Sequence, residues 1–184
     1  MGSGGDDVCL SRLRIRPLTR DDGAALDAVF AGMGEQSRFF RFHSPAPRLS
    51  GGMRHALLHL DGRDRAALVA ELPSPDGWAP IGIARLVRTG ERQAEFAVAV
   101  VDRWQRHGVG QRLLEALGDF AAELGYTELY GDVLPENKVM LRLLQRVFPS
   151  AIPRWDKGVV RVPLPDRPGR ADPREPARGA VVGR

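Results

Sequence analysis

The chain of 184 residues contains little cysteine, little lysine and no long apolar run. Its single cysteine, Cys9, comes before the first predicted strand, which excludes an internal disulfide and a zinc site built from several cysteines. No apolar run approaches the roughly 18 residues that cross a membrane, and no signal peptide is recognisable before the first strand. We therefore expect a cytoplasmic protein with no membrane partner.

Clustered positive charge is also missing. The formal net charge is +4, and residues 166–184 supply half of it, with five arginines against three acidic residues. Only Lys138 and Lys157 are lysines, and the arginines are spread along the chain. A nucleic-acid-binding protein concentrates its basic residues on one face. The sequence therefore predicts no nucleic-acid partner.

Composition divides the chain into one domain and two polar ends. Hydrophobic residues make up 43% of the chain, which is enough for the core of a domain of ordinary size. We predict disorder for residues 1–10, a folded domain over residues 11–165, and disorder for residues 166–184. The last segment is rich in proline, arginine and glycine, a composition that cannot build a core.

The pattern of apolar residues predicts a mixed α/β (α+β) fold. Strands are expected at 13–18, 66–72, 81–87, 95–101, 128–133, 151–155 and 159–162, and helices within 19–34, 50–60, 109–124 and 137–147. The three strands between 66 and 101 should form an antiparallel meander. The strand–helix–strand unit over 95–133 should be a crossover with parallel strands. These elements predict a mostly antiparallel sheet of six to seven strands flanked by about four helices.

Residues 95–124 form the most informative stretch of the chain. An apolar strand leads through a turn into Gln105, Arg106, His107, Gly108, Val109 and Gly110, and an amphipathic helix begins at Val109. The backbone N–H groups and the dipole at a helix N-terminus favour an anion, and Gly108 and Gly110 carry no side chain to keep a ligand away. This arrangement predicts a phosphate or pyrophosphate site. It is not a P-loop, and Leu113 replaces the third glycine of a dinucleotide-binding loop.

The pattern Gln105-x-x-Gly108-x-Gly110, between a strand and a long helix, resembles motif A of the GNAT superfamily of acetyl-CoA-dependent N-acetyltransferases. Glu95, Trp104-Gln105, the Leu-Pro-Glu-Asn of 134–137 and the Ser-Arg-Phe-Phe-Arg-Phe of 37–42 look like the acetyltransferase domain of bacterial protein lysine acetyltransferases. The resemblance covers residues 13–162 and implies a GNAT-like sheet. Two glycines at a helix start also occur in ordinary tight turns, which is the alternative interpretation.

The resemblance implies that acetyl-CoA is the cosubstrate. Backbone groups of Val98, Ala99, Val100 and Val101 would bind the pantetheine arm like an added strand, and an N–H near Val100 would polarise the thioester carbonyl. The other residues implied in cofactor binding are Gln105, Arg106, His107, Gly108, Val109, Gly110, Gln111, Asn137 and Met140. Gln105 could equally be a solvated loop residue, and Asn137 could be an ordinary helix N-cap.

Glu95 is the predicted general base. The pKa of an unperturbed lysine is about 10.4, so the amine must lose a proton before it attacks. Glu95 is the only acidic residue in an otherwise apolar strand, and in the enzymes that the sequence resembles a glutamate at the matching position is the proposed base. The alternative is a glutamate that merely faces water at the mouth of a strand.

One position departs from the family pattern. Many GNAT enzymes place a tyrosine seven residues after the asparagine to protonate the leaving thiolate, and this chain has Leu144 there. The thiolate would then leave unprotonated or be served by water, which a thiol with a pKa of about 8.5 allows.

The acceptor that the resemblance implies is a primary amine, in particular a protein lysine side chain, attacked directly in a ternary complex. The alternatives are a small-molecule amine acetyltransferase and a non-catalytic acyl-CoA-binding sensor. Residues 35–43 should either pack a loop or short helix onto the core or form part of the acceptor wall. The histidines match no familiar metal-ligand spacing, so no metal is predicted. The oligomeric state stays open, with a homodimer as one possibility.

Overall fold

The computed structural model describes residues 11–164, which form one seven-stranded sheet and five α-helices. The strands are β1 (Arg14–Pro17), β2 (Arg65–Ser74), β3 (Gly77–Arg88), β4 (Gln93–Val100), β5 (Glu128–Val133), β6 (Arg154–Asp156) and β7 (Val159–Leu164). The helices are α1 (Gly23–Ala31), α2 (Glu35–Phe42), α3 (Gly51–Leu58), α4 (Val109–Glu123) and α5 (Lys138–Val147), with a 3-10 turn at Asp102–Trp104.

The predicted fold class is confirmed, with one helix more than the four expected. The additional helix is α2, in the segment for which a loop or a short helix was expected. β6 begins at Arg154, later than the predicted residue 151. The predicted disordered ends, residues 1–10 and 166–184, lie outside the described residues. Within residues 11–164 no helix has the length and apolar content needed to cross a membrane.

The strand order in the sheet is β1-β2-β3-β4-β5-β7-β6. The meander of β2, β3 and β4 is confirmed, and so is the parallel pairing of β4 with β5 across the α4 crossover. That parallel pairing is short, because it covers only Gln93 with Glu128, Ala94 with Leu129 and Glu95 with Tyr130. Beyond Glu95, β4 continues to Val100 without a partner in β5. The sheet therefore opens between its two central strands.

A tight packing contact lies where the two strands separate. The ring of Phe96, a buried residue, lies against Gly131 of β5. A Cβ atom added at Gly131 would come within 2.5 Å of that ring, far inside van der Waals contact. Glycine at 131 thus leaves the space that the ring of Phe96 fills.

Each face of the sheet carries its own apolar core. On one face α4 and α5 contribute fully buried leucines, among them Leu113, Leu117 and Leu144. On the other face α1 contributes Leu26 and Val29, which pack on the sheet. Helix α2 packs against β4 but contains no fully buried residue. The open part of β4 therefore lies between α4 with its preceding loop and α2.

Candidate active site

A cleft of about 880 Å³ opens where β4 and β5 separate. Its walls come from α2, the second half of β4, the loop before α4, the end of β5 and helix α5. Its volume lies within the range of roughly 300–1,000 Å³ that is typical of ligand sites. The gap in the sheet is thus large enough for a cofactor-sized molecule.

Most of the site residues predicted from the sequence line this cleft. They are Glu95, Val98, Ala99, Val100, Gln105, Arg106, Gly108, Gly110, Gln111, Asn137 and Met140. Val101, His107 and Val109 are not among the lining residues. Val109 is fully buried in the core, and the Nδ1 atom of His107 lies 2.7 Å from the carbonyl oxygen of Gln105.

Val101 differs most from its predicted role. Its N–H donates to the carbonyl of Ile81 at 2.9 Å, and its carbonyl accepts the N–H of Trp104 at 2.8 Å. Its side chain packs over Gly32, where an added Cβ would lie 2.6 Å from Val101 Cγ1. Both backbone groups of Val101 are therefore engaged within the protein, which removes it from the predicted pantetheine-binding set.

The backbone of β4 presents alternate residues to the cleft. Successive residues of a strand point their N–H and C=O groups to opposite sides. Since Val101 bonds toward β3, Ala99 does so too, whereas Val98 and Val100 point toward the gap beside β5. The predicted set of four thus divides into Val98 and Val100, which face the gap, and Ala99 and Val101, which do not. An extended ligand can pair with this exposed edge as an added strand.

The loop before α4 is tightly wound. Arg106 has a φ of 64° and Gly108 a φ of 83°, both in the left-handed region. Gly108 is the N-cap of α4 and brings no side chain to cap the first helical N–H groups, at residues 109–111. A Cβ at Gly110 would lie 3.0 Å from Leu143, so this glycine also lets α4 approach α5. A helix start with such free N–H groups is suited to an anion, so this loop stays the predicted anion site at one end of the cleft.

Besides Arg41 of α2, three arginines line the cleft. Arg106 comes from the loop, as predicted, and Arg142 and Arg146 come from α5. The two arginines of α5 are not among the residues predicted from the sequence. Their spacing of four residues, which places them on one face of a helix that follows Asn137, was the signal that could have found them.

Gln105 turns its side chain into the protein, so it is neither a solvated loop residue nor directed at the anion site. Its Nε2 atom lies 3.1 Å from the Val100 carbonyl oxygen, 3.1 Å from Ser37 Oγ and 3.0 Å from Asp102 Oδ1. These bonds hold the start of the loop against the end of β4 and against α2.

Asp102 completes this connection. Its carboxylate accepts the hydroxyl of Ser37 at 2.6 Å and the backbone N–H of Gly34 at 2.9 Å. Gly34 is the N-cap of α2 and has no side chain of its own to cap the helix. A carboxylate 68 residues away in the sequence therefore caps α2. The loop that carries the anion site and the helix on the opposite wall are joined by one hydrogen-bond network.

Asn137 is the N-cap of α5. Its Oδ1 atom accepts the N–H of Met140 at 3.1 Å. The N-cap interpretation of this residue is therefore confirmed. Asn137 also lines the cleft, and its side-chain NH₂ group is not used in the cap.

The half of the cleft near α2 carries ionisable side chains. Glu95 is exposed and lines the cleft together with Arg41 of α2 and Asp132 of β5. The Asp132 carboxylate is matched by Arg161, which donates two hydrogen bonds of 2.8 and 2.7 Å. The carboxylate of Glu95 makes no hydrogen bond with any residue of the described range 11–164. Glu95 is thus open to a ligand.

No tyrosine is placed to protonate a leaving group. Leu144, at the position where many family members have one, is fully buried in the core. The Tyr126 hydroxyl donates to the carbonyl of Arg63 at 3.1 Å, and the ring of Tyr130 lies 4.4 Å from Arg161 Cζ. Neither tyrosine lines the cleft.

Comparison with known proteins agrees with this geometry. The acetyltransferase (GNAT) domain family matches residues 12–147 of the chain. An acetyltransferase from Pseudomonas aeruginosa is 27% identical over 127 residues, which cover 68% of each chain.

Solved structures share the fold. The GNAT domain of S. lividans PAT superimposes with a TM-score of 0.74 at 31% identity, over 82% of this chain and 89% of that one. Protein yncA from Salmonella typhimurium, whose structure contains its cofactor acetyl-CoA, superimposes with a TM-score of 0.59 at 18% identity, over 87% of this chain and 97% of that one. Because the matched family domain spans most of the chain, the protein belongs to the GNAT acetyltransferase family and is an N-acetyltransferase.

Proposed function

We propose that this protein transfers an acetyl group from acetyl-CoA to a primary amine, in particular a lysine side chain of another protein. The observation that carries the proposal is the position of Glu95, which is open to the cleft at the point where β4 and β5 separate. The lysine acceptor is supported by the segment 37–42, which resembles protein lysine acetyltransferases and belongs to the helix α2 that lines the cleft.

Acetyl-CoA is the cosubstrate, and it supplies the acetyl group as an activated thioester. The residues present fit such a molecule at both ends. The N–H groups at the start of α4, with Arg106, Arg142 and Arg146, suit a pyrophosphate. The exposed edge of β4 at Val98 and Val100 suits the amides of an extended arm, and the NH₂ group of Asn137 would add a hydrogen bond.

Glu95 would act as the general base. At pH 7 only about one lysine in two thousand is neutral, so a positioned acceptor for the ammonium proton accelerates the attack. Glu95 takes this proton, directly or through a water molecule, and the amine nitrogen then bonds to the thioester carbonyl carbon as the carbon–sulfur bond breaks. The nitrogen gives its second proton to water as the amide forms. The N–H of Val100 stabilises the negative charge that develops on the carbonyl oxygen. The thiolate leaves as such or takes a proton from water.

The test is Glu95→Gln, which keeps the shape of the side chain and removes the base. We expect the turnover number to fall by about 10²- to 10⁴-fold, while acetyl-CoA still binds with wild-type affinity in calorimetry. Release of the CoA thiol and acetyl-lysine formation should be followed in the same reactions, with a bacterial proteome as acceptor. The matched control is Glu91→Gln, an identical change at an exposed turn position outside the cleft.

Each outcome has a distinct meaning. Full activity in Glu95→Gln would show that Glu95 is not the base. Binding of acetyl-CoA to the wild type without acetylation of any amine would favour an acyl-CoA sensor over an enzyme acting on proteins. No binding of acetyl-CoA would contradict the interpretation of residues 105–111 as its site.

A further inference from the structure

The acceptor half of the cleft contains a cation that the proposed mechanism does not use. Arg41 lies on α2 and lines the cleft. Its guanidinium makes no hydrogen bond and no ion pair with any residue between 11 and 164. Its Cζ atom lies 5.1 Å from the centroid of the Phe42 ring.

The neighbouring arginines differ from Arg41, because the protein supplies partners for them. Arg38, one helical turn earlier, donates to the carbonyl oxygens of Phe30 and Pro47 at 3.3 and 2.9 Å. Arg85, on β3 behind the cleft, donates to the carbonyl oxygens at the end of α3 at 2.6 and 3.1 Å. The guanidinium groups of Arg38 and Arg85 join elements of the fold, whereas the guanidinium group of Arg41 is available to a ligand.

The surroundings of Arg41 make an unpaired charge unfavourable. Burial lowers the pKa of Arg41 to about 10, and the nearby charge of Arg85 acts in the same direction, whereas Glu95 opposes both. The side chain is therefore still charged at neutral pH. A partly buried charge is costly unless it is paired, and an arginine presents a planar fork that fits a carboxylate. Phe40, Phe42 and Met33 also line the cleft and lower its polarity.

Arg41 and Glu95 both line the cleft, and the negative charge of Glu95 acts electrostatically on Arg41, so the cleft presents opposite charges to a ligand. The cations suited to a pyrophosphate, Arg106 on the loop and Arg142 and Arg146 on α5, belong to other walls of the cleft. The anion that Arg41 would bind is thus part of the acceptor rather than of acetyl-CoA.

We infer that the acceptor amine carries a carboxylate close to it, with its ammonium group at Glu95 and its carboxylate at Arg41. This inference rests on the proposed function and names the chemistry of its acceptor. Two sources offer that chemistry: a free amino acid, and a lysine next to an acidic side chain in a polypeptide.

The inference is tested with the wild-type protein and matched acceptors. One arm compares kcat/KM for free L-amino acids with that for their amides, and the other compares end-capped peptides in which a single lysine is followed by Glu or by Gln. An acceptor without the carboxylate loses its hydrogen-bonded ion pair with Arg41, and the loss of such a pair lowers affinity by about 10- to 100-fold. We expect at least about a tenfold preference for the carboxylate form in one arm, and the arm in which it occurs identifies the source.

Arg41→Met then assigns the preference to this side chain. We expect the preference to disappear in this variant and to survive in Arg48→Met, which removes the same charge from the exposed loop after α2, outside the cleft. Equal kcat/KM within both arms for the wild type would overturn the inference and leave the proposed function standing. A preference retained in Arg41→Met would overturn the role of Arg41. Acetylation of none of these acceptors would overturn the proposed function, and the inference with it.

Discussion

The two halves of the cleft present different kinds of chemical group to a ligand. The half next to α4 offers backbone N–H groups, from Val98 and Val100 on the strand and from residues 109–111 at the helix start, and its charged side chains are the cations of Arg106, Arg142 and Arg146 that suit a pyrophosphate. The half next to α2 offers the charged side chains of Glu95 and Arg41. Backbone groups recognise features that all acyl-CoA molecules share, whereas side chains can be exchanged without changing the fold. In the proposed mechanism the first half therefore holds the acetyl donor and the second half selects the acceptor.

The two halves are nevertheless physically joined. Asp102 caps α2 and bonds Ser37, and Gln105 bonds Ser37 and Asp102 while also bonding the carbonyl of Val100. A substitution on either side of this network tests whether acetyl-CoA binding and acceptor binding can be altered independently. Substitutions in the backbone half, at the point where β4 and β5 separate, and in the network itself should therefore have different effects on the two halves.

Gly108→Val should have the largest effect on acetyl-CoA affinity, and that effect should be confined to the backbone half. Gly108 has a φ of 83°, a conformation that costs a residue with a Cβ about 1–2 kcal/mol. The branched side chain would also stand next to the N–H groups at the start of α4. We expect acetyl-CoA affinity, measured by calorimetry, to fall about 10- to 100-fold, with the preference among acceptors unchanged.

Gly118→Ala is the matched control for this change. Gly118 lies in the middle of the same helix, and no heavy atom lies within 4 Å of an added Cβ. Alanine should raise the free energy of unfolding by about 0.5–1 kcal/mol, because glycine is the poorer helix former. Acetyl-CoA affinity should stay the same. A loss of affinity in both variants would show that the effect of Gly108→Val is not specific to the loop.

Gly131→Ala should disturb the opening between β4 and β5, on which both halves depend. The new Cβ would lie 2.5 Å from the Phe96 ring, and such overpacking costs about 1–3 kcal/mol of the free energy of unfolding. Urea denaturation measures this loss, and both acetyl-CoA affinity and acceptor turnover should decline. Adding Phe96→Leu should recover part of the stability, because it frees the space the methyl group needs. Simple addition of the two destabilisations would contradict the contact.

The halves also differ in how far the sequence predicts them. The conformation of the loop and of α4 is determined by residues close in the sequence, namely two glycines, a turn and apolar residues repeated every three to four positions. The helix therefore begins at Val109, as predicted. Helix α2 depends on a cap from Asp102, 68 residues away, and Gly34 gives no local capping signal. The segment 35–43 therefore could not be assigned to a helix or a loop from its own residues. For the same reason the free guanidinium of Arg41 could not be foreseen.

Within β4 and the loop, the sequence does not show where a group points when a hydrogen-bond partner distant in the sequence decides its direction. Val101 looked equivalent to Val98 and Val100, but its hydrogen bond with Ile81 shows that it faces β3. Gln105 was expected at the anion site or in solvent, and its partner Ser37 lies in a different helix. Alternation along a strand is visible in the sequence, but its phase relative to the neighbouring strands is not.

Asp102→Ala should have the smallest effect and gives the sharpest test of whether the halves are separable. Loss of a helix cap costs about 1 kcal/mol, and here α2 would lose it while the strands and α4 keep all their packing. Because α2 contributes Arg41 and lines only one half of the cleft, the KM for the acceptor should rise several-fold, whereas the Kd for acetyl-CoA should change by less than about twofold. Asp102→Asn keeps an oxygen that can accept from Gly34 but loses the charge, so its KM should lie between those of the wild type and Asp102→Ala. An equal rise in the KM for the acceptor and in the Kd for acetyl-CoA would show instead that the network positions the loop before α4 as well as α2. In that case Gln105 would need Asp102 to keep its hydrogen bond to Val100.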